Sequence, residues 1–399
     1  MFYEIIVCGQ MCLDFLPSME NVTPNNLAAS GKLFETGAMQ ISTGGSVANT
    51  GLALQRLGIK TGLIGLVGDD FVGRATLEFL RNRELQLADH IRVIEDAASS
   101  YTIVLAPRHY DRSFLHYFGT NNDFDYDSVD FDVVGQGDMF HLGYPTVLPK
   151  LYANNGSGLA QIFKKVHDDL GRITSLDLSL PDPSQPSGQA PWQTIFENTL
   201  PYVDIFIPSI EEIMLMLRRH DYDAWGNDLL SHLSAGYLND LAQDLLDMGS
   251  AIVGFKLGVS GLYLRTTSDI NRLAFLDTIR QSRDEWRDKI IWHPAFKVDV
   301  VGTTGAGDSA YAGFLSAIYR GLDCETCVKW ACAVGACNVE AFDSTNGVLS
   351  WEETAKRLSI EWETLEPISI VLMRFIKSCK ASNIPLCTKY EIRLMSVNR

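Results

Sequence analysis

Short apolar runs recur along the chain, each closed by glycine or acidic residues and followed by apolar residues at helical spacing. Residues 3–8, 60–67, 139–142, 173–178, 203–207 and 251–256 read as strands. Helical patterns lie between and after them, notably over 42–58, from 71 through Leu77, Leu80 and Leu85, over 159–170, 308–320 and 324–342, and over 351–358. This repeated strand-then-helix order predicts an α/β fold with a central, mostly parallel sheet flanked by helices. Two further runs, 101–106 and 112–118, are separated by Pro107-Arg-His-Tyr-Asp111 and predict a hairpin. Residues 15–41 read as an irregular excursion from the sheet.

The stretch 296–320, FKVDVVGTTGAGDSAYAGFLSAIYR, concentrates the chemistry. Phe296, Val298, Val300 and Val301 predict a strand, Gly302 to Gly307 a small-residue loop, and Asp308 the start of a helix with Tyr311, Ala312, Phe314, Leu315 and Ile318 on its apolar face. The first N–H groups of such a helix lack intrahelical acceptors and suit an anion such as a phosphate. The glycines let a phosphate approach the backbone. A carboxylate there repels phosphate but suits a base that takes a proton from an attacking hydroxyl. Asp308 as a plain N-cap is the alternative. No Lys-Ser or Lys-Thr follows the last glycine, so a Walker loop is excluded.

Other candidate residues occupy the ends of predicted strands, where α/β sheets bind ligands. Asp14 follows the first strand. Gly44-Gly45 opens a helix carrying Asn49, and Gly68-Asp69-Asp70 opens another. Glu212 lies in the first turn after Ile207-Pro-Ser209, and Lys256-Leu-Gly258-Val-Ser-Gly261 ends a strand in a glycine turn.

In these segments the chain resembles the PfkB (ribokinase-like) carbohydrate kinases. Thr303 to Asp308 carries the C-terminal signature, Gly44-Gly45 with Asn49 the N-terminal one, and the likeness spans about residues 3–358. The resemblance implies ATP-dependent phosphorylation of a sugar or sugar-like hydroxyl, with Asp308 as base and Gly305, Ala306 and Gly307 as the anion hole. It places the sugar on Asp14, Gly44, Gly45 and Asn49, and the nucleotide on Lys256, Gly258, Gly261, Thr303, Thr304 and Asn338. Glu212 would organise Mg²⁺ through water, although Ser209 replaces the family's Asn. Gly302 replaces an Asp that helps hold a monovalent cation in relatives, which leaves K⁺ open. The implied domain covers 1–362, with a small β lid from about 14–42 and 98–121. Residues 363–399 form an extension packed on the same domain.

Composition narrows the partners. The 399 residues are 46% hydrophobic and 21% charged, with a formal net charge of −16 and no basic run. Nucleic acid and anionic membrane surfaces are therefore poor partners. The N-terminus lacks a basic n-region, so neither a signal peptide nor a membrane span is expected. The eight cysteines include Cys324 and Cys327 in a CxxC, which reads as small apolar helix positions with zinc as the alternative. A reducing, cytoplasmic setting fits. Asp123, Asp125 and Asp127 begin like a calcium loop but lack its glycine and terminal Glu. A homodimer stays open, as does the role of 266–292. Two rivals remain: a nucleoside kinase on the same fold, with Tyr101, Phe114 and Tyr117 near the lid, and a non-catalytic PfkB-like binder of sugar or nucleotide.

Overall fold

The structure, a computed structural model, describes residues 2–19, 22–23, 30–107 and 113–365. Its main sheet has nine strands: β1 (Tyr3–Gly9), β4 (Thr61–Gly68), β5 (Ile91–Ile94), β8 (Gly137–Gly143), β9 (Ile173–Asp177), β10 (Ile205–Phe206), β11 (Ile252–Lys256), β12 (Leu262–Thr266) and β13 (Ile290–His293). Their order is β13-β12-β11-β10-β9-β8-β1-β4-β5. Pairing is parallel from β5 to β11 and antiparallel through β12 and β13.

Helices cover both faces of this sheet, which is why its central strands read as near-continuous apolar runs. Along β1, Ile5 and Val7 enter one core and Ile6 and Cys8 the other. The first core packs α1 (Ser46–Arg56), α2 (Phe71–Arg83) and two long C-terminal helices. The second packs α3 (Pro149–Lys164), α4 (Ile210–Leu217) and α5 (Ala235–Asp247). The C-terminal helices are α6 (Ala306–Tyr319) and α7 (Cys324–Asn338), followed by α8 (Trp351–Ser359).

A second sheet of four strands stands apart from the first. It comprises β2 (Cys12–Pro17), β3 (Met39–Gly44), β6 (Tyr101–Leu105) and β7 (Ser113–Tyr117), in the order β3-β2-β6-β7. The predicted hairpin is its β6–β7 pair. The expected excursion therefore begins and ends as regular structure, since β2 and β3 pair from Cys12↔Gly44 to Pro17↔Met39.

One other expectation is corrected. Residues 296–301 are not a strand. Phe296 makes one isolated bridge to Thr364, Val300 and Val301 are 63% and 57% exposed, and the Val301 N–H donates to the Val339 carbonyl instead. The helix expected over 159–170 is present: non-helical backbone at Ala153, Asn154, Asn155 and Gly156 breaks the run Pro149–Lys164, and its second part continues past Lys164 as a π-helical turn, Lys165–Asp169. Residues 266–292 complete the sheet, returning as β13 and burying Trp286 completely against Phe314. Of the C-terminal extension, Glu363 and Leu365 pair with the backbone of Lys297 and Ala295. Residues 366–399 lie outside the described residues.

Candidate active site

Helix α6 starts at the glycine turn. Gly305 is its N-cap, with φ 71°, and a methyl group there would collide with the Ser344 carbonyl oxygen. Only glycine accepts both the left-handed backbone and that approach. Asp308 is therefore the third residue of the helix rather than its cap, which removes the N-cap reading. The Ala306 N–H is bonded within the turn to the Thr303 carbonyl at 3.3 Å. Asn338 on α7 is fully buried and donates to the Thr304 carbonyl at 3.1 Å, bracing the loop from behind.

Asp308 is 2% exposed and receives three side-chain hydrogen bonds. Asn49 Nδ2 donates to Oδ2 at 3.0 Å, Thr50 Oγ1 to Oδ1 at 3.2 Å, and the Tyr144 hydroxyl to Oδ2 at 2.8 Å. Burial raises the carboxyl above its ordinary range, while Lys256 and these three donors pull it down. The N-terminal and C-terminal glycine motifs thus meet across 259 residues of sequence through Asn49 and Asp308.

Lys256, at the end of β11, donates to both carboxylate oxygens of Asp177, at the end of β9, at 2.7 and 2.9 Å. Burial works against its charge, but Asp177, Glu212 and Asp308 outweigh it and hold the ammonium above its usual pKa. A methyl group on Gly307 would stand 3.4 Å from Lys256 Nζ, so the amine lies against the start of α6. Glu212 is 8% exposed and forms a capping box with Ser209 at the start of α4. Four acidic and basic groups from separate elements therefore converge on one helix terminus.

Asp14 lies within β2, not in a loop after β1, because the chain turns at Gly9–Met11 into the second sheet. It is 9% exposed, accepts from Cys12 Sγ at 3.3 Å, and is raised by burial against hydrogen bonds from Cys12 and Thr102. A methyl on Gly44 would collide with its carboxylate, and one on Gly45 with Gln10. The sheet register aligns Ser42, Asp14, Thr102 and His116 on one face, one from each strand. By the same alternation Tyr101 and Tyr117 lie on the opposite face, whereas Phe114 shares the face of Asp14.

A cavity of about 370 Å³ opens between the β11–β12 turn, α6 and α7. Lys256, Gly258, Gly261, Thr303 and Gly307 line it, with Phe296, Ala331 and Gly335 supplying apolar walls. Gly258 and Gly261 have φ 53° and 86°, as the turn requires. The expected nucleotide residues are thus together, except Thr304 and Asn338, which support the loop and are not among the cavity's lining residues.

Residues 4–351 match the pfkB family carbohydrate kinase profile. The chain belongs to the pfkB family of carbohydrate kinases. A nucleoside kinase of Methanothermobacter thermautotrophicus is 23% identical over 92% of this chain and 98% of its own length. A 5-dehydro-2-deoxygluconokinase of Bacillus licheniformis is 25% identical over 87% and 93%. The fold matches that of Arabidopsis thaliana ribokinase complexed with ribose and ATP, with a TM-score of 0.67 at 19% identity, over 90% of this chain and all of that one.

In this pfkB kinase the structure brings together Asp308, Asn49, Lys256 and Glu212, singled out from the sequence, with Tyr144, Thr50 and Asp177, which were not. Thr50 adjoins Asn49 and was within reach of the motif. Tyr144 carries no sequence signal, since its role depends on a left-handed backbone. Cys324, Cys327, Cys332 and Cys337 are all buried, the first three in the core. Among the described residues no group of three or more His, Cys, Asp or Glu could hold a metal. No helix among them is long and apolar enough to cross a membrane.

Proposed function

We propose that the kinase phosphorylates a hydroxyl of a sugar or sugar-like substrate with MgATP, and that Asp308 is the base. The observation that carries this is Asp308 itself, buried, oriented by three neutral donors, and seated at a glycine-led helix terminus beside a charged lysine. The substrate O–H bond breaks onto Asp308 as its oxygen attacks the γ-phosphorus and the bond to ADP breaks. Amides of Gly305, Ala306 and Gly307 face the charge that develops, Ala306 sharing its N–H with Thr303. Positioning and electrostatics are the main levers in such transfers.

The nucleotide occupies the cavity over Gly258 and Gly261, with its phosphates toward Lys256 and Thr303. Asp14, Gly44, Gly45 and Asn49 hold the acceptor. A hard Mg²⁺ keeps most of its waters and accepts one or two carboxylates. Glu212, alone among the acids here in being fixed by a capping box, suits that role. Gly302 offers no carboxylate to a monovalent cation, so K⁺ forms no part of the proposal. The free, buried cysteines fit a reducing cytoplasm. The nucleoside reading keeps one supporting feature, Phe114 on the face of Asp14; Tyr101 and Tyr117 point the other way.

The test is ADP release from MgATP across hexoses, pentoses, keto-deoxy acids and nucleosides. Acceptor-dependent turnover should fall at least ~100-fold in Asp308→Asn. A folded Asp308→Asn protein with near-normal turnover would refute the base.

A further inference from the structure

Tyr144 follows β8 directly, and its backbone is left-handed, with φ 63° and ψ 45°. Such a conformation is unfavourable for a non-glycine residue and persists only where its surroundings impose it. Here both ends of the turn are held. The Tyr144 N–H donates to the Asp177 carbonyl at 3.1 Å, and its own carbonyl accepts from the Val147 N–H at 3.1 Å. The result is a phenol directed across the sheet edge, whose hydroxyl reaches Oδ2 of Asp308.

The other two donors to Asp308, Asn49 and Thr50, come from the same helix, α1, and give one bond to each carboxylate oxygen. They approach from one side. Tyr144 comes from the strand side and gives Oδ2 a second donor. Each carboxylate oxygen has room for about two. Oδ2 is therefore filled, and Oδ1 keeps an open acceptor site.

We propose that Tyr144 is a positioning residue for the base, its hydroxyl fixing Oδ2 of Asp308 so that Oδ1 receives the proton of the substrate hydroxyl. This rests on the reading of Asp308 as base. The hydroxyl also favours the ionised carboxylate, as a donor to a charged acceptor does. The charged or titratable groups around Asp308 are Lys256 from β11, Asp177 from the end of β9, Tyr144 after β8, and Glu212 from α4, which acts on Lys256. Lys256 and the three hydrogen bonds oppose the effect of burial. Loss of one donor must raise the pH at which Asp308 ionises.

The experiment uses the full chain. The protonated Asp308 carboxyl is followed by infrared pH titration, as the difference between each protein and its Asp308→Asn counterpart. In Tyr144→Phe the Asp308 signal should persist to higher pH than in the wild type. With MgATP and D-ribose, D-fructose or adenosine as probes, kcat should drop about 10-fold, the loss of one hydrogen bond to a charged group, while KM for ATP is unchanged. Tyr144→Gly, which relaxes the positive φ, should show the same titration shift and supplies a second folded variant. An Asp308 titration at the wild-type pH in both variants overturns the proposal, even if kcat falls, because a purely structural tyrosine would do that. If Asp308→Asn itself turns over normally, the base reading fails instead.

Discussion

Lys256 and Asp177 face each other at the ends of β11 and β9, with the amine bonded to both carboxylate oxygens and side chains 13% and 0% exposed. The strands between and beside them are parallel, so both residues emerge at the same edge of the sheet. That edge also carries Asp308, and the pair sets the charge beside it. Asp177 holds Lys256 in place and balances its charge. Burial pushes the Asp177 carboxyl up, against the pull of Lys256.

Replacing Lys256 with Met leaves Asp177 buried without its partner. Breaking such a pair costs roughly 3–5 kcal/mol, and the low end is expected because burial already favours protonated Asp177. Denaturant unfolding should show this loss, and the double variant Lys256→Met/Asp177→Leu should regain most of it. Turnover should stay at least ~100-fold down in both if, as proposed, the ammonium is also a phosphate partner. Recovery of turnover together with stability would confine Lys256 to a structural role.

Glu212 closes a helix cap and is proposed to organise Mg²⁺, and one substitution can separate the two. Its Oε2 accepts from the Ser209 N–H at 2.8 Å, closing the capping box of α4. Gln at this helix position closes the same box, so Glu212→Gln should change stability by less than about 1 kcal/mol. The carboxylate proposed to organise Mg²⁺ is lost, however. The Mg²⁺ concentration for half-maximal turnover should rise by about 10-fold or more, the usual cost of removing a group that holds a metal's ligands. An unaltered Mg²⁺ dependence would leave Glu212 as a helix cap alone.

Much of this was legible in the sequence because the information is local. Strands buried on both faces need apolar runs, and a phosphate-sized approach to a helix start needs glycines, so the sheet and the Gly302–Asp308 turn could both be read. The strand expected at 296–301 failed because alternation alone does not supply a partner. Val339 takes the backbone bond that a neighbouring strand would have taken. Asp14 was placed in the right region but on the wrong element, since β2 exists only through pairing with β3 and β6, distant in sequence. Tyr144 and Asp177 were invisible for a related reason. Each gains its role from a residue more than 75 positions away, at separations of 164 and 79.

His141 gives the fold a calculable acid sensitivity. It is fully buried on β8, with Nδ1 2.9 Å from Ser175 Oγ and its ring 4.8 Å from that of Tyr311. Burial, helped by Lys256, lowers its pKa to about 3. The folded pKa lies below the unfolded value near 6.5, so protons bind the unfolded chain preferentially. Its contribution is complete above about pH 6.5 and is lost as pH falls through that value toward 3. His293, lowered to about 4, and His116, also lowered, act in the same direction, while Asp14 and Asp308, both raised, act oppositely. A comparison of wild type with His141→Gln cancels these shared groups. The difference in unfolding free energy between the two proteins should be flat above pH 7. Below pH 6.5 it should move in favour of the variant by up to about 1.4 kcal/mol per pH unit. Urea titrations at pH 7.5, 6.0 and 5.0 read this directly, and parallel curves at all three would mean that His141 binds its proton equally well in the folded protein.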